Sequence, residues 1–354
     1  MTKYRVLDLF CGAGGLSLGF KLAGFQIVGG IDFQQDAIYT HEKNFKNSIS
    51  ICGDIKEISD DKVKELYENK VDIIIGGPPC QGFSAGNRQQ IENDPRNKLF
   101  FEFIRFVRIL QPKAVVIENV RQILTKDKGF AKTKIFEILE ELGYNVDVRV
   151  LKASDYGVPQ NRNRAIFIGL KKEYGKIDYD KIKKISIPVT VKEAIGELYE
   201  LENKNTNIIT IKPLTKFQKY VRSKDNMIFN HDIKYPNQEV QDRINFVPQG
   251  GNWQNVPENM WKTKRNNRHS SAYRRLDENK PSITIDTGHM NYFHPLYNRV
   301  PTVRESARLQ SFPDDFIFVG TPTSQLRQVG NAVPPLMAKA IADQIFKIIK
   351  SDNN

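Results

Sequence analysis

From residue 4 to residue 170, short apolar runs alternate with longer stretches whose apolar positions recur at helical spacing. Residues 4–10, 26–31, 48–52, 71–75, 114–117, 145–151 and 165–170 are strand-length and rich in Val, Ile and Leu. The 71–75 and 114–117 runs are almost unbroken, as in strands covered on both faces of a parallel sheet. Helical spacing follows the first run at Leu16, Leu18, Phe20 and Leu22. It returns over 34–45, 99–110 and 133–142, and Gly143 provides a C-cap for the last of these. Strand and helix in alternation predict an α/β fold with a parallel sheet, whose ligands bind at the carboxyl ends of the strands.

Beyond about residue 172 the texture changes. Residues 173–300 are polar, rich in Asn and Lys, and lack that alternation. We read them as part of a second, irregular domain. The expected division is 1–172 with 328–354 for the first domain and 173–327 for the second. Thr302-Val303-Arg304-Glu305 is a capping box that opens a helix to Gln310, closed by Phe312-Pro313. A last helix starts after Pro334-Pro335 and carries Leu336, Ala340, Ile341, Ile345, Ile348 and Ile349 as an apolar stripe. One helix cannot bury such a stripe alone, so it is expected to pack on the first domain, with residues 328–331 leading the chain back to the sheet.

The chain has 354 residues, 40% of them hydrophobic and 27% charged, an ordinary globular balance. No run of about 18 apolar residues is present, so no membrane span is expected. The sequence enters a strand at once without a signal-peptide pattern, and Cys11, Cys52 and Cys80 form no CxxC pair. A metal site is not expected, and a cytoplasmic, nucleoid-associated monomer is. The net charge of +12, with a pI near 9.4, suits a polyanionic partner. The segment from Lys262 to Arg275 holds six Lys or Arg and no acid, including Arg265 and Arg268. Trp253, Trp261 and Tyr273 lie near it, a mixture suited to DNA grooves. A disordered charged loop is the alternative, and the tryptophans and tyrosine argue against it.

The candidate chemistry gathers at the predicted strand ends. The first strand runs into Cys11-Gly12-Ala13-Gly14-Gly15, a glycine turn before a helix, where backbone can approach a nucleoside. Ser17 occupies the third glycine position of the dinucleotide fingerprint, so a pyrophosphate is not indicated. Asp32 ends the second strand, placed for ribose hydroxyls, and Phe33 follows, able to lie against a base. Asp54 ends the third and suits an exocyclic amine, although either acid taken by itself reads first as a helix cap or turn former. The 71–75 run stops at Gly76-Gly77-Pro78-Pro79-Cys80, a stiff loop carrying a thiol. Cys80 is a nucleophile or an inert cysteine beside a turn. Glu118 ends the 114–117 run. Gln160, Arg162 and Arg164 share one face if extended, fit for a phosphate or a carbonyl, or else form a solvated edge.

Taken together these residues resemble the DNA cytosine-5 methyltransferase family of bacterial restriction-modification systems. The resemblance rests on Asp8-Leu9-Phe10-Cys11-Gly12-Ala13-Gly14-Gly15, Pro78-Pro79-Cys80-Gln81, Glu118-Asn119-Val120 and Gln160-x-Arg162-x-Arg164. It extends to Arg304-Glu305-x-Ala307-Arg308-Leu309-Gln310-x-Phe312-Pro313 and Gln328-Val329-Gly330-Asn331-Ala332-Val333, in order and spacing. The region between Arg164 and Thr302 corresponds to the family's variable target-recognition segment.

The resemblance implies a Rossmann-like methyltransferase sheet with a smaller target-recognition domain. It implies S-adenosylmethionine as donor and cytosine in double-stranded DNA as acceptor, with a cognate restriction endonuclease as a possible partner. By that match Phe10 stacks on the donor's adenine, Gly12 and Gly14 make room for it, and Asp32 holds the ribose. The family usually has glutamate at Asp32. Asp54 and Ile55 contact the adenine, Pro78 and Leu99 line the pocket, and Asn331 and Val333 close it. Cys80 adds to C6 of an everted cytosine, Glu118 hydrogen-bonds N3, Arg162 and Arg164 hold the base's carbonyl and a phosphate, and Ser84 touches the backbone. No side chain is assigned to removing the C5 proton. Among rivals, a zinc deaminase needs a second thiol, which Gln81-Gly82-Phe83 does not supply. A nicotinamide dehydrogenase lacks its fingerprint, and a non-catalytic DNA-binding protein leaves Cys80 and Glu118 without purpose. A tRNA methyltransferase of the same family is separated by comparing the two substrates.

Overall fold

The computed structural model describes residues 4–79, 98–204, 206–261, 273–287 and 292–351. It divides into two compact units. One comprises Met1–Tyr156, Asn163–Lys184 and Val333–Asn354, the other Gly157–Arg162 and Ile185–Ala332.

The first unit is built on a seven-stranded sheet. Its strands are β1 (Arg5–Leu9), β2 (Gln26–Asp32), β3 (Ile49–Cys52), β4 (Ile73–Gly76), β5 (Ala114–Val120), β6 (Tyr144–Lys152) and β7 (Asn163–Lys171). Their order across the sheet is β3-β2-β1-β4-β5-β7-β6. The first five run parallel; β7 is antiparallel to both β5 and β6. The chain moves outward from β1 to β3 and then jumps to β4 on the other side of β1, so the switch point lies between β1 and β4.

The apolar runs become strands because helices cover both faces: Ile73, Ile74, Ile75 and Val115, Val116 and Ile117 are wholly buried. Helix Lys98–Leu110 presents Phe100, Phe103, Ile104, Phe106 and Val107 to this core at intervals of three and four. Each large side chain so buried contributes about 1.5–3 kcal/mol. Helix α1 (Gly15–Leu22) packs against the C-terminal helix Pro335–Ser351. The fit is close: a Cβ on Gly19 would lie 2.2 Å from Cβ of Ala338. Ile341, Ile345 and Ile349 of the expected stripe are buried, but the inward face turns toward Met337, Ala338 and Ala342, and Leu336, Ala340 and Ile348 are only partly covered.

Several helices escaped the sequence pattern, among them Val191–Ile195, Lys216–Val221 and Gln238–Asn245 of the second unit. Asp60–Tyr67 buries only Val63 and Tyr67. Pro322–Asn331 contains residues 328–331, which are therefore a helix end in the second unit; the first unit resumes at Val333.

In the second unit, short helices surround a buried ionic core. Helix Val303–Leu309 opens on the expected capping box: Glu305 N donates to Thr302 Oγ1 at 3.1 Å and Thr302 N to Glu305 Oε2 at 2.7 Å. Arg299 pairs with Glu305 and Glu202, and Arg308 with Glu197 and Asp314. Arg304 donates to the carbonyls of Phe229, Pro313 and Phe316. These buried charges are paired with one another or with backbone carbonyls, as burial requires. The pairing with Arg299 and its neighbours holds the Glu305 carboxyl well below the usual range in spite of burial.

Candidate active site at the carboxyl edge of the sheet

At the end of β1 the backbone turns sharply, with positive φ at Phe10 (61°), Gly12 (53°) and Gly14 (92°). Gly14 N donates to Cys11 O at 2.9 Å and Cys11 N to Ile31 O at 3.1 Å, which fixes the turn against β2. A Cβ on Gly12 would meet nothing within 4 Å, whereas one on Gly14 would lie 2.5 Å from the Phe45 ring and 3.0 Å from that of His41. The turn is thus open at Gly12 and backed at Gly14 by two stacked rings, 4.5 Å apart. Burial lowers the His41 pKa to about 4, so this packing is neutral.

Asp32 ties this turn down. Its Oδ2 accepts from Gly12 N and its Oδ1 from Gln34 N, both at 2.9 Å. Burial pushes its carboxyl up, and the backbone donors oppose that shift. Backbone groups of Gln34, Gly12 and Phe33 thus take up most of its acceptor capacity, and about one position is left. Phe33 follows with 70% of its surface exposed. Asp32 O accepts from Gly53 N at 3.0 Å, joining this corner to the end of β3. There Asp54 caps the short 3₁₀ turn Ile55–Glu57, accepting from Lys56 N at 3.1 Å, and Ile55 is buried. The two acids therefore cap turns and also stand at the sheet edge; the two readings are compatible.

Ser17, which broke the dinucleotide fingerprint, has its own partner. Its hydroxyl donates to Oδ2 of buried Asp8 at 2.6 Å. Burial raises the Asp8 carboxyl to about 7. The signal in the sequence is an acid inside the apolar run of β1. The Cys11 thiol is also pushed up by burial.

On the other side of the switch point, β4 ends at Gly76. A Cβ on Gly77 would stand 3.2 Å from Glu118 Oε2, so the carboxylate lies directly over this backbone. Asn119 Nδ2 donates to the carbonyl of buried Pro78 at 3.0 Å, holding the turn to the end of β5. Arg164 Nε meets Glu118 Oε1 at 2.7 Å, with both side chains mostly buried. The pair follows from strand direction. Antiparallel β7 begins where β5 ends, with Val120 opposite Arg164 and Glu118 opposite Ile166, so Glu118 and Arg164 are diagonal neighbours on one face.

The remaining candidates separate. Cys80, Ser84, Arg265 and Arg268 lie outside the described residues. Leu99 is half-buried in the first turn of helix Lys98–Leu110, and Val333 is buried in the first unit. Arg162 belongs to the second unit, where it is buried and its Nη1 donates to Ile285 O at 3.2 Å; Gln160 beside it donates to Leu309 O. Asn331 ends helix Pro322–Asn331 and is exposed. The aromatics around the basic run are structural. Tyr273 packs in an apolar cluster with Ile244, Val247, Val256 and Phe293, and Trp253 and Trp261 lie against it. Trp261 and Tyr273 meet edge to face at 5.2 Å. Among the described residues no helix is long and apolar enough to cross a membrane.

The family described as C-5 cytosine-specific DNA methylase matches residues 4–347. The chain is 38% identical to Type II methyltransferase M1.HphI of Haemophilus parahaemolyticus, over 98% of this chain and 90% of that enzyme. It is 39% identical to Type II methyltransferase M.DdeI of Desulfomicrobium norvegicum, over 96% of this chain and 88% of that one. Among solved structures, a prophage-encoded protein of E. coli superposes with a TM-score of 0.80 at 32% identity, covering 98% of this chain and all of the other. The chain belongs to the C-5 cytosine-specific DNA methylase family and is a DNA (cytosine-5-)-methyltransferase.

Proposed function

We propose that the chain transfers a methyl group from S-adenosylmethionine to C5 of an everted cytosine in a specific duplex sequence, through a transient adduct with Cys80. The similarity to Type II methyltransferases supports protection of host DNA against a cognate endonuclease as the biological role. The observation that carries the reading is the meeting of two features on one edge of one sheet. One is an acid-tied glycine turn; the other is a Glu118–Arg164 pair directly over the turn that leads to Cys80.

The donor fits the corner beside β1 and β2. The open face of Gly12, the remaining acceptor capacity of Asp32, the exposed Phe33 ring and the capped turn at Asp54 suit a nucleoside with an amine and ribose hydroxyls. Phe10, Gly14, Ile55, Pro78, Leu99, Asn331 and Val333 complete that assignment. When bound, S-adenosylmethionine supplies an electrophilic methyl on a sulfonium sulfur.

C5 of cytosine is a weak nucleophile. The Cys80 thiolate adds to C6, the S–C6 bond forms, and the ring's electron pair moves toward C5 and N3. Glu118 hydrogen-bonds N3 with its proton and so offsets the charge that develops there, while also holding the exocyclic amine. Arg164 orients Glu118, and Arg162 and Arg164 serve the base's carbonyl and a phosphate. After C5 has gained the methyl, its proton leaves to a base, water in our reading, and the S–C6 bond breaks to free Cys80. The base must leave the helix for this to happen, at a cost of a few kcal/mol. The surplus of +12 charge, with Ser84, Arg265 and Arg268, supplies the grip on the backbone.

The test is a duplex carrying 5-fluorocytosine, which has no C5 proton to lose. With S-adenosylmethionine present, the protein is expected to become cross-linked through Cys80, and Cys80→Ser is expected to give no cross-link and lose nearly all turnover. Near-normal turnover in Cys80→Ser would overturn the covalent route. Labelled methyl transfer to mixed-sequence DNA, followed by bisulfite mapping, locates the target.

A further inference from the structure

Arg105 lies on helix Lys98–Leu110, the helix that carries Leu99 in its first turn. Its side chain is only 21% exposed. Its guanidinium has four partners. Nε meets Glu102 Oε2 at 2.7 Å and Nη1 meets Asp60 Oδ1 at 2.6 Å. Nη2 donates to two backbone carbonyls, Ile55 O at 3.0 Å and Ile58 O at 2.9 Å.

Those two carbonyls bracket the 3₁₀ turn that Asp54 caps. A turn of this length has poor internal geometry and little cooperativity of its own. Its own closing bond, Ile58 N to Ile55 O, is long at 3.4 Å. Arg105 therefore supplies what the turn lacks, and it does so from a helix anchored by Phe100, Phe103 and Phe106, all wholly buried. The same helix carries Leu99.

We propose that Arg105 is a positioning residue for the cofactor's base: by clasping Ile55 O and Ile58 O it sets the place of Asp54 and Ile55 relative to Leu99. The inference rests on the cofactor reading given above. Only a planar fork of donors can reach all four acceptors, so lysine cannot replace it. The ion pair with Asp60, which is 61% exposed, adds little by comparison.

The test compares wild type with Arg105→Lys, Arg105→Gln and Asp60→Asn. The probes are S-adenosylhomocysteine and its hypoxanthine analogue, in which a carbonyl replaces the exocyclic amine. Arg105→Gln is expected to raise KM for the methyl donor about tenfold and to leave kcat within about threefold, as for an interaction made alike in ground and transition states. Its preference for adenine over hypoxanthine should shrink toward unity. Arg105→Lys, which keeps charge and bulk, should show the same loss of base preference with an unchanged melting temperature. Asp60→Asn should retain both KM and preference. If Arg105→Lys binds both probes as wild type does, or if Asp60→Asn loses preference equally, the inference is overturned. If wild type itself fails to bind S-adenosylhomocysteine, the cofactor reading fails instead.

Discussion

Replacing Asp32 by asparagine separates its observed task, tying the glycine turn, from its proposed one, receiving the ribose. The amide oxygen can keep one of the two 2.9 Å bonds, to Gly12 N or to Gln34 N, but the amide NH2 then faces the other N–H. One charge-assisted bond worth about 1.5–3 kcal/mol is lost. The fold recovers part of this, because burial is the main cause that lifts the Asp32 carboxyl and a neutral amide has no charge to desolvate. The net change in stability should stay within about 1 kcal/mol, a melting shift of about 2–4 °C for a domain of this size. Ligand binding has no such compensation. A ribose hydroxyl bound to a neutral amide in place of a carboxylate should lose about 1.5–3 kcal/mol, or roughly 10- to 150-fold in Kd. Calorimetric titration with S-adenosylhomocysteine reads the second quantity and thermal melting the first. Asp32→Glu keeps the charge and restores the family's usual residue, so its Kd should fall between the two. A Kd for Asp32→Asn within threefold of wild type, with melting likewise unchanged, would refute the assignment of ribose binding to this carboxylate.

Two further substitutions probe the site from other directions. Gly77→Ala places a methyl 3.2 Å from Glu118 Oε2, so the carboxylate must shift by a few tenths of an ångström; kcat should fall about 10- to 100-fold with little change in melting, and an unchanged kcat would show that Glu118 has room to spare. Asp8→Asn addresses pH. The folded Asp8 carboxyl sits at about 7, above its unfolded value of 3.8, so its contribution is full below about pH 4 and is lost as pH rises through about 7. Urea midpoints of wild type should therefore decline from pH 4 toward pH 8 relative to Asp8→Asn; a difference independent of pH would sink this account.

The chain's first half was largely legible because the physics there is local. Continuous apolar runs ending in Gly, Pro or Asp are strands that stop, and such ends face one edge when the strands are parallel. The capping box at Thr302 was readable for the same reason. What stayed hidden depends on partners distant in sequence. Ser17 looked like a defect in a glycine motif until Asp8 was seen beside it. Trp253, Trp261 and Tyr273 read as part of a mixture suited to DNA grooves, yet an aromatic beside a lysine run has the same pattern whether it faces DNA or, as here, a small core. Arg105 stood on the polar side of an amphipathic helix, where a cation reads the same whether it meets water or two carbonyls. The second unit was opaque because buried arginines are held by carboxylates far along the chain, and no periodicity records that.

Strand direction is the clearest case, and the site depends on it. The run at 165–170 has the same composition whichever way it is laid in the sheet. Were β7 parallel to β5, its carboxyl end would bring Lys171 to the edge that Glu118 occupies. Antiparallel, it places Lys171 at the opposite edge, where its ammonium is held by Gln111 Oε1 at 2.5 Å and Leu142 O at 3.2 Å. Arg164 comes to the Glu118 edge instead. The exchange matters chemically. An ammonium is a compact charge that could sit anywhere around a carboxylate, whereas a guanidinium's planar fork can engage Glu118 through Nε and keep its other nitrogens for a second acceptor. One of these, Nη1, donates to Asn163 O at 2.9 Å, a bond within its own strand. The reversal of a single strand thus sets at Glu118 the cation that, on the proposed mechanism, orients the acid and receives a substrate oxygen.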